Sequence, residues 1–322
     1  MEIVTADIGG THARFAIATI EGGRVAALGE PVKLATADHA SLQTAWEAFG
    51  RTLGRDLPRA AAIAIAAPIR GTVIKMTNNP WTVQPAQLDR QLGLDSHVLI
   101  NDFAAVAHAV GSAGPEHFIP VTGPDEPLPN DGVVSVIGPG TGLGVAQLVR
   151  RGGRNIVIPT EGGHSDFAPL DGIEDRVLAR LREQHGRVSV ERVVAGPGLR
   201  TIYAVLAEIE GREMPQGDDR ALWTAALDGS DSLAAAALER FCQCLGAVAG
   251  DIALTQGPGP VVIAGGLGLR LADALPQSGF AERFAAKGRY QSLMRSLPVK
   301  LITHPEPGLY GAAMAFAESQ RA

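Results

Sequence analysis

Lysine is scarce in this chain: there are four in 322 residues, Lys33, Lys75, Lys287 and Lys300, and none lies in a glycine-rich turn. That excludes a Walker loop, whose lysine reaches the terminal phosphates of a nucleotide. Cysteine is scarcer still. Cys242 and Cys244 stand two apart in a segment with helical periodicity, and at about 100° per residue such a pair points to nearly opposite sides of a helix. They neither crosslink nor share a metal, so a disulfide framework and a zinc site are excluded and a reducing compartment is expected. No Lys/Arg-rich run is present, and 28 basic against 34 acidic residues leave a net charge of −6. A nucleic-acid or anionic-membrane surface is therefore not expected. No apolar run approaches the roughly 18 residues that a bilayer span requires. The opening segment Met1–Asp7 enters a strand without a basic stretch and a long apolar one behind it, so the expected location is the cytoplasm.

Aromatics are also few, at 5%, yet 46% hydrophobic and 19% charged residues suffice for a buried core. With 39 Gly and 21 Pro, tight turns and close backbone approaches must be common. At roughly 150 residues per domain the length suggests two domains.

Short apolar runs alternate with helical patterns, which predicts an α/β fold. Ile3–Ala6 reads as a strand, followed by a Gly turn and a second strand from about Arg14 to Thr19. Leu42, Trp46, Phe49 and Leu53 fall on one helix face, and Leu238, Phe241, Leu245, Val248 and Ile252 on another. Ala60–Ala67 and Val98–Ile100 read as buried strands, the latter leading through Asn101-Asp102 into a helix over Phe103–Val110. Pro260–Gly266 reads as a strand running into a Gly-Gly turn, and a final helix spans about Leu309–Ser319. One internal echo organises these pieces. Asp7-Ile8-Gly9-Gly10-Thr11 and Gly138-Pro139-Gly140-Thr141-Gly142 each sit between two strand-like runs. The repetition implies a duplicated architecture whose halves face each other across a cleft.

Successive N–H groups in a Gly-rich turn form a concave nest that favours anions, phosphate above all. Without lysine, phosphates held there are neutralised by amides, by the hydroxyls of Thr11 and Thr141, by Arg14 and by a divalent metal. Asp7, ending the first strand, is the natural Mg²⁺ partner through water. Asp102 ends a strand, where ligands of open α/β sheets collect, and a carboxylate there can take a proton from an attacking alcohol. Glu161-Gly162-Gly163-His164 sets a carboxylate and an imidazole on a Gly-Gly turn, a pair suited to sugar hydroxyls. Each of these readings has a plain structural counterpart. A hairpin glycine needs no ligand, and an Asp before a helix is commonly its N-cap. Glu191 also fits as a first-turn charge in a helix capped by Ser189, and Asn78 and Gly265-Gly266 as turn formers. His39, His97 and His117 read as solvent-facing bystanders.

Together these residues resemble the bacterial glucokinase family of the actin-like sugar-kinase superfamily. The matching pieces begin with Asp7-Ile8-Gly9-Gly10-Thr11-His12-Ala13-Arg14, Met76-Thr77-Asn78 and Ile100-Asn101-Asp102-Phe103. They continue with Gly138-Pro139-Gly140-Thr141-Gly142-Leu143-Gly144, Glu161-Gly162-Gly163-His164-Ser165-Asp166-Phe167 and Ser189-Val190-Glu191-Arg192-Val193. Gly196-Pro197-Gly198-Leu199, Ala264-Gly265-Gly266 and Pro307-Gly308-Leu309-Tyr310-Gly311-Ala312-Ala313 complete the set, which runs from residue 3 to about 317.

The resemblance implies an actin-like ATPase (ribonuclease H-like) duplicated fold of two α/β domains with a central cleft. The small domain would be residues 1–108 plus about 303–322, the large domain about 109–302. The implied activity is ATP- and Mg²⁺-dependent phosphorylation of D-glucose to glucose 6-phosphate at the head of glycolysis. Asp102 becomes the general base. Asn78, Asn101, Asp102, Glu161, His164 and Glu191 become sugar ligands. Ile8, Gly9, Gly10, Thr11, His12 and Ala13, with Gly138, Gly140, Thr141 and Gly142, become phosphate clamps, and Gly265 and Gly266 lie near the adenosine. A homodimer is implied, without the zinc loop of the related ROK kinases. His12 stands where the family often has Asn, which matters little if that position works through its backbone N–H. Two alternatives stay open: a kinase of another hexose, and a sugar-binding regulator on the same fold.

Overall fold

Both Gly-Thr segments close antiparallel hairpins, and the two hairpins open sheets of the same design. The computed structural model describes residues 1–76, 79–214 and 217–321. Its contacts divide the chain into two units, one of Met1–Gly114 with His304–Ala322 and one of Pro115–Thr303.

In the first unit, β1 (Glu2–Ile8) pairs with β2 (His12–Glu21), with Ile8 opposite Ala13. β3 (Arg24–Leu28) and β4 (Val32–Ala35) both pair with β2. On its other side β1 runs parallel to β5 (Ala60–Ile65). After a two-stranded ribbon of β6 (Ile74–Lys75) and β7 (Thr82–Val83), β8 (Ser96–Asn101) runs parallel to β5. The all-apolar run at β5 is explained by its place: every residue of this interior strand is buried, as parallel strands covered on both faces require. One face is covered by the helix Leu42–Leu53, where Phe15 stacks on Phe49 at 5.3 Å and meets Trp46 edge-on at 6.2 Å. Ser41 and Thr44 cap that helix reciprocally, and Gly54 ends it in the left-handed region. The other face packs against Ala312, Ala313, Phe316 and Ala317 of the last helix, Pro307–Ser319.

In the second unit, β9 (Phe118–Thr122), β10 (Gly132–Pro139), β11 (Leu143–Arg151), β12 (Arg154–Thr160), β13 (Val261–Ile263) and β14 (Val299–Ile302) form one sheet. Its order is β12-β11-β10-β13-β14-β9, against β3-β2-β1-β5-β8 in the first sheet. Each sheet holds a three-stranded antiparallel meander followed by two parallel strands, with β4 added on β2 in the first and antiparallel β9 beyond β14 in the second, so the short sequence echo marks a repeated five-strand topology. The helix Ser232–Gln256 is long and apolar enough by length and composition to cross a membrane. Its apolar side chains belong to the core of this unit, Cys242 and Cys244 among them, and burial pushes both thiols up to about 12. Charge is buried as well: Glu174, 1% exposed, is bonded by Arg240 and Arg283 from two other helices, and Arg240 also pairs with Asp171.

Three sequence expectations need correction. Gly265-Gly266 is not a turn but the start of a helix, Gly265–Arg270. Ser189 does not cap the helix Glu191–Val194: its N-cap is Val190, with no side-chain bond, while Ser189 is buried in a bridge to Asp166. The three histidines are only partly exposed, and His97 Nδ1 lies 2.6 Å from the Asp89 carboxylate.

The last helix can dock where it does because Gly311 lacks a side chain. A Cβ there would fall 1.7 Å from the carbonyl oxygen of Ala105, in the helix Asp102–Ser112. Gly311→Ala should therefore cost about 1–3 kcal/mol in denaturant unfolding, the range for overpacking. Gly172→Ala, at a helix start with open space around it, should be neutral or stabilising. Equal effects of the two would refute the packing argument.

Candidate functional site

Register places the chemistry of the first unit. Ile8 of β1 is aligned with Ile65 of β5, and Ile65 with Asn101 of β8, so the parallel strands end in line. The carboxyl ends of such strands are where open α/β sheets collect ligands. The 9–12 turn leaves β1 at this edge, and Asp102 follows β8 there.

The turn is tied down by its carbonyls. Gly9 N–H donates to the His12 carbonyl at 2.9 Å, Thr36 N–H to that of Thr11 at 3.0 Å, and Thr36 Oγ1 to that of Gly10 at 2.8 Å. A turn whose carbonyls are engaged offers an anion its amides rather than repelling oxygens. Thr11 is exposed at the tip. Partial burial, with Lys33 and Arg14 nearby, holds the His12 imidazole below its usual value. Thr36 was not legible as a partner of this turn, since it lies 25 positions along the chain from Thr11.

Asp7 lies beneath the turn. Arg14 Nη1 is 3.4 Å from its carboxylate, and Arg14 Nε is 3.8 Å from that of Glu306, which precedes the last helix. Burial pushes both carboxyls above their ordinary values, and Arg14 pulls each back. Gly308 allows this arrangement: a Cβ there would stand 2.6 Å from Asp7 Oδ2. Glu306 carried no sequence signal of its own.

At the end of β8 the cap is Asn101, not Asp102. Asn101 Oδ1 accepts from the N–H groups of Phe103 and Ala104 at 2.9 and 3.1 Å, and its Nδ2 donates to the Ala67 carbonyl. Asp102 is the first helical residue, half-buried, with Oδ1 accepting from Phe103 N–H at 2.8 Å. Asn78 lies outside the described residues.

The second unit gathers its candidates around the 140–142 turn. Ile137 of β10 is aligned with Ile263 of β13, so Gly265 and Gly266 follow their strand at the same edge. Gly140 N–H donates to the Gly142 carbonyl at 2.8 Å, and Gly196 N–H to the Gly140 carbonyl at 2.8 Å. Gly265, at φ +83°, sits where a Cβ would be 3.0 Å from the Pro139 carbonyl oxygen. A Cβ at Gly163 would fall 2.2 Å from that of Leu143. Thr160 of β12 is aligned with Val145 of β11, which brings Glu161 and His164 beside the turn. His164 Nε2 is 4.0 Å from Glu161 Oε2, both side chains open to solvent. Glu191 joins them: its Oε2 accepts from Leu143 N–H at 2.9 Å.

A cavity of about 810 Å³ opens beside Gly140, Thr141 and Gly266. Its walls include Trp223 and Arg270, the guanidinium lying over the indole at 5.6 Å, and Trp223 Nε1 donates to the Gly196 carbonyl. Sequence reasoning missed both residues, because nothing in the helix carrying Trp223 distinguishes it from a core position.

A family model described as Glucokinase matches residues 4–319. The glucokinase of Zymomonas mobilis subsp. mobilis is 61% identical over 317 residues, covering 98% of each chain. That of Caulobacter vibrioides is 42% identical over 320 residues, covering 98% of this chain and 95% of the other. Among solved structures, a glucokinase from an Antarctic psychrotroph aligns at TM-score 0.84 with 32% identity, covering 98% of both chains. A ROK family glucokinase from Streptomyces griseus in complex with glucose and AMPPNP aligns at TM-score 0.62 with 20% identity, covering 97% of this chain and 98% of that one, and shares the fold. The fold is that of the actin-like ATPases.

Because Asn101 caps the helix that begins with Asp102, Asn101→Ala should lower stability by about 0.5–2 kcal/mol. Asn101→Asp, which keeps the capping oxygen, should recover most of it. Thermal unfolding of the two variants checks this, and an unaffected Asn101→Ala would refute the capping role.

Proposed function

The chain belongs to the glucokinase family, and from that premise we propose that it transfers the γ-phosphoryl group of ATP to the 6-hydroxyl of D-glucose, with Asp102 as general base, at the head of glycolysis. The observation that carries this reading is the match at 61% identity to a glucokinase across 98% of both chains.

The geometry supports a division of labour. Both turns offer amides to phosphate, the 9–12 turn with Thr11 and the 140–142 turn with Thr141. The cavity lined by Trp223 and Arg270 would take the nucleoside, with Gly265 and Gly266 admitting it close to the backbone. Glu161, His164 and Glu191 would accept from or donate to sugar hydroxyls, with Asn78 and Asn101 as amide partners. Asn101 Oδ1 already accepts two backbone N–H groups and one Nδ2 hydrogen goes to the Ala67 carbonyl, so its part is confined to the remaining N–H. Asp102 would take the proton as the alcohol attacks, since phosphoryl transfer asks the protein mainly to align the acceptor and manage charge.

Among the described residues no three His, Cys, Asp or Glu side chains form a ready-made metal cage. Mg²⁺ keeps several waters and uses one or two carboxylates plus substrate phosphates. Asp7 would hold it through water, with Glu306 nearby, and the bound ion would supply positive charge against the triphosphate. We place the enzyme in the cytoplasm as a homodimer, by extension from the family.

The reading is tested by a coupled glucose-6-phosphate assay with ATP and Mg²⁺ against a panel of hexoses and acetate. Glucose should be the preferred acceptor; failure to phosphorylate glucose, or a faster reaction with another acceptor, overturns it. Asp102→Ala should keep the fold, by circular dichroism, while lowering kcat at least about 10²–10⁴-fold, the scale of a positioned acid–base group. Near-normal turnover would remove Asp102 from the base role. Chelation by excess EDTA should abolish turnover and added Mg²⁺ restore it, whereas full activity in metal-free buffer would exclude the metal requirement.

A further inference from the structure

We propose that Glu191, beyond binding sugar, is a positioning residue for the 140–142 turn, and that it couples sugar occupancy to nucleotide affinity. The inference rests on the reading that its carboxylate receives sugar hydroxyls. Its basis is a contact that sugar binding does not require. Glu191 Oε2 accepts from Leu143 N–H at 2.9 Å, and a Cβ at Gly142 would stand 2.5 Å from that same oxygen. The segment that carries Glu191 returns to the turn five residues later, where Gly196 N–H bonds the Gly140 carbonyl at 2.8 Å. One short stretch of chain therefore holds the turn at both ends, by a carboxylate at Leu143 and by an amide at Gly140.

The two holds differ in kind. The amide at Gly196 is fixed by the backbone. The carboxylate stands at the end of a flexible, half-buried side chain and can rotate toward water. A hydrogen bond to a charged acceptor is among the stronger ones available, but it fixes the turn only while the side chain stays in place. Oε1 is the oxygen left for sugar hydroxyls. Hydroxyls donating to it lock the carboxylate in one rotamer, and the Leu143 amide with it. Order supplied by the sugar need not be supplied again when phosphate binds the turn, and by linkage the nucleotide raises sugar affinity by the same factor.

The test is titration calorimetry with Mg²⁺ and AMPPNP, with and without saturating glucose. In the wild-type chain glucose should tighten AMPPNP about 5–150-fold, the usual span of such coupling. In Glu191→Ala, AMPPNP should bind at least about tenfold more weakly even without sugar, and the tightening should vanish. Glu191→Gln keeps a neutral acceptor and should restore much of the sugar-free affinity. Gly142→Ala, whose methyl displaces the carboxylate from the side of the turn, should weaken AMPPNP likewise and add nothing in the double variant with Glu191→Ala. Glu161→Ala should weaken glucose while leaving sugar-free AMPPNP affinity unchanged. If Glu191→Ala and Gly142→Ala bind AMPPNP within twofold of wild type without sugar, or if their effects add, the inference is wrong and Glu191 is a sugar ligand alone. If the wild-type chain neither binds AMPPNP nor phosphorylates glucose, the functional reading itself falls, and the inference with it.

Discussion

The 140–142 turn depends on backbone coming closer to backbone than any side chain allows. Gly163 and Gly265 lie where a Cβ would meet the carbonyl oxygens of Leu143 and Pro139, and Gly196 bonds the carbonyl of Gly140. Three segments, after β12, after β13 and after the helix Glu191–Val194, converge on one turn because each contributes a glycine at the point of approach. The first unit uses the same device at Gly311 against the Ala105 carbonyl, and Gly308 leaves room for the Asp7 carboxylate. Interiors pack too densely to forgive an added methyl at such points. The high glycine content is thus a requirement of the site's assembly and not merely of its turns.

This constraint explains which parts could be read from the chain. The repeated strand–Gly-Thr–strand pattern is local, and it marked both hairpins and the duplication of topology behind them. The helix faces at Leu42–Leu53 and Ser232–Gln256 were equally legible, since amphipathic spacing is a property of neighbours in sequence. What failed was competition between local motifs and distant partners. Ser189 has the composition of a cap, yet its backbone is engaged with Asp166. Asp102 looks like the residue before a helix, yet it is the first helical residue and Asn101 does the capping. Gly265-Gly266 looks like a turn, but a positive φ at Gly265 alone redirects the chain and a helix starts at once. Trp223, Arg270, Thr36 and Glu306 reach their places only through tertiary packing, and no spacing rule marks them. The Asn78 reading stands apart, since that residue lies outside the described residues.

The scarcity of lysine has a structural consequence on the proposed reading. A lysine ammonium on a four-carbon stem can search for a phosphate and tolerate a loosely held loop. A backbone amide cannot move without moving its turn. A site that binds phosphate through amides and threonine hydroxyls must therefore take its precision from whatever holds the turns still. In the first unit Thr36 and Gly9 perform that task through neutral hydrogen bonds and strand pairing. In the second, one of the holds is the Glu191 carboxylate, a charged acceptor on a rotatable side chain. Rigid amides give geometry, and a single flexible acceptor makes that geometry conditional. An enzyme that should not spend ATP on water gains from such a condition, because the phosphate turn is best formed when the acceptor alcohol is already in place.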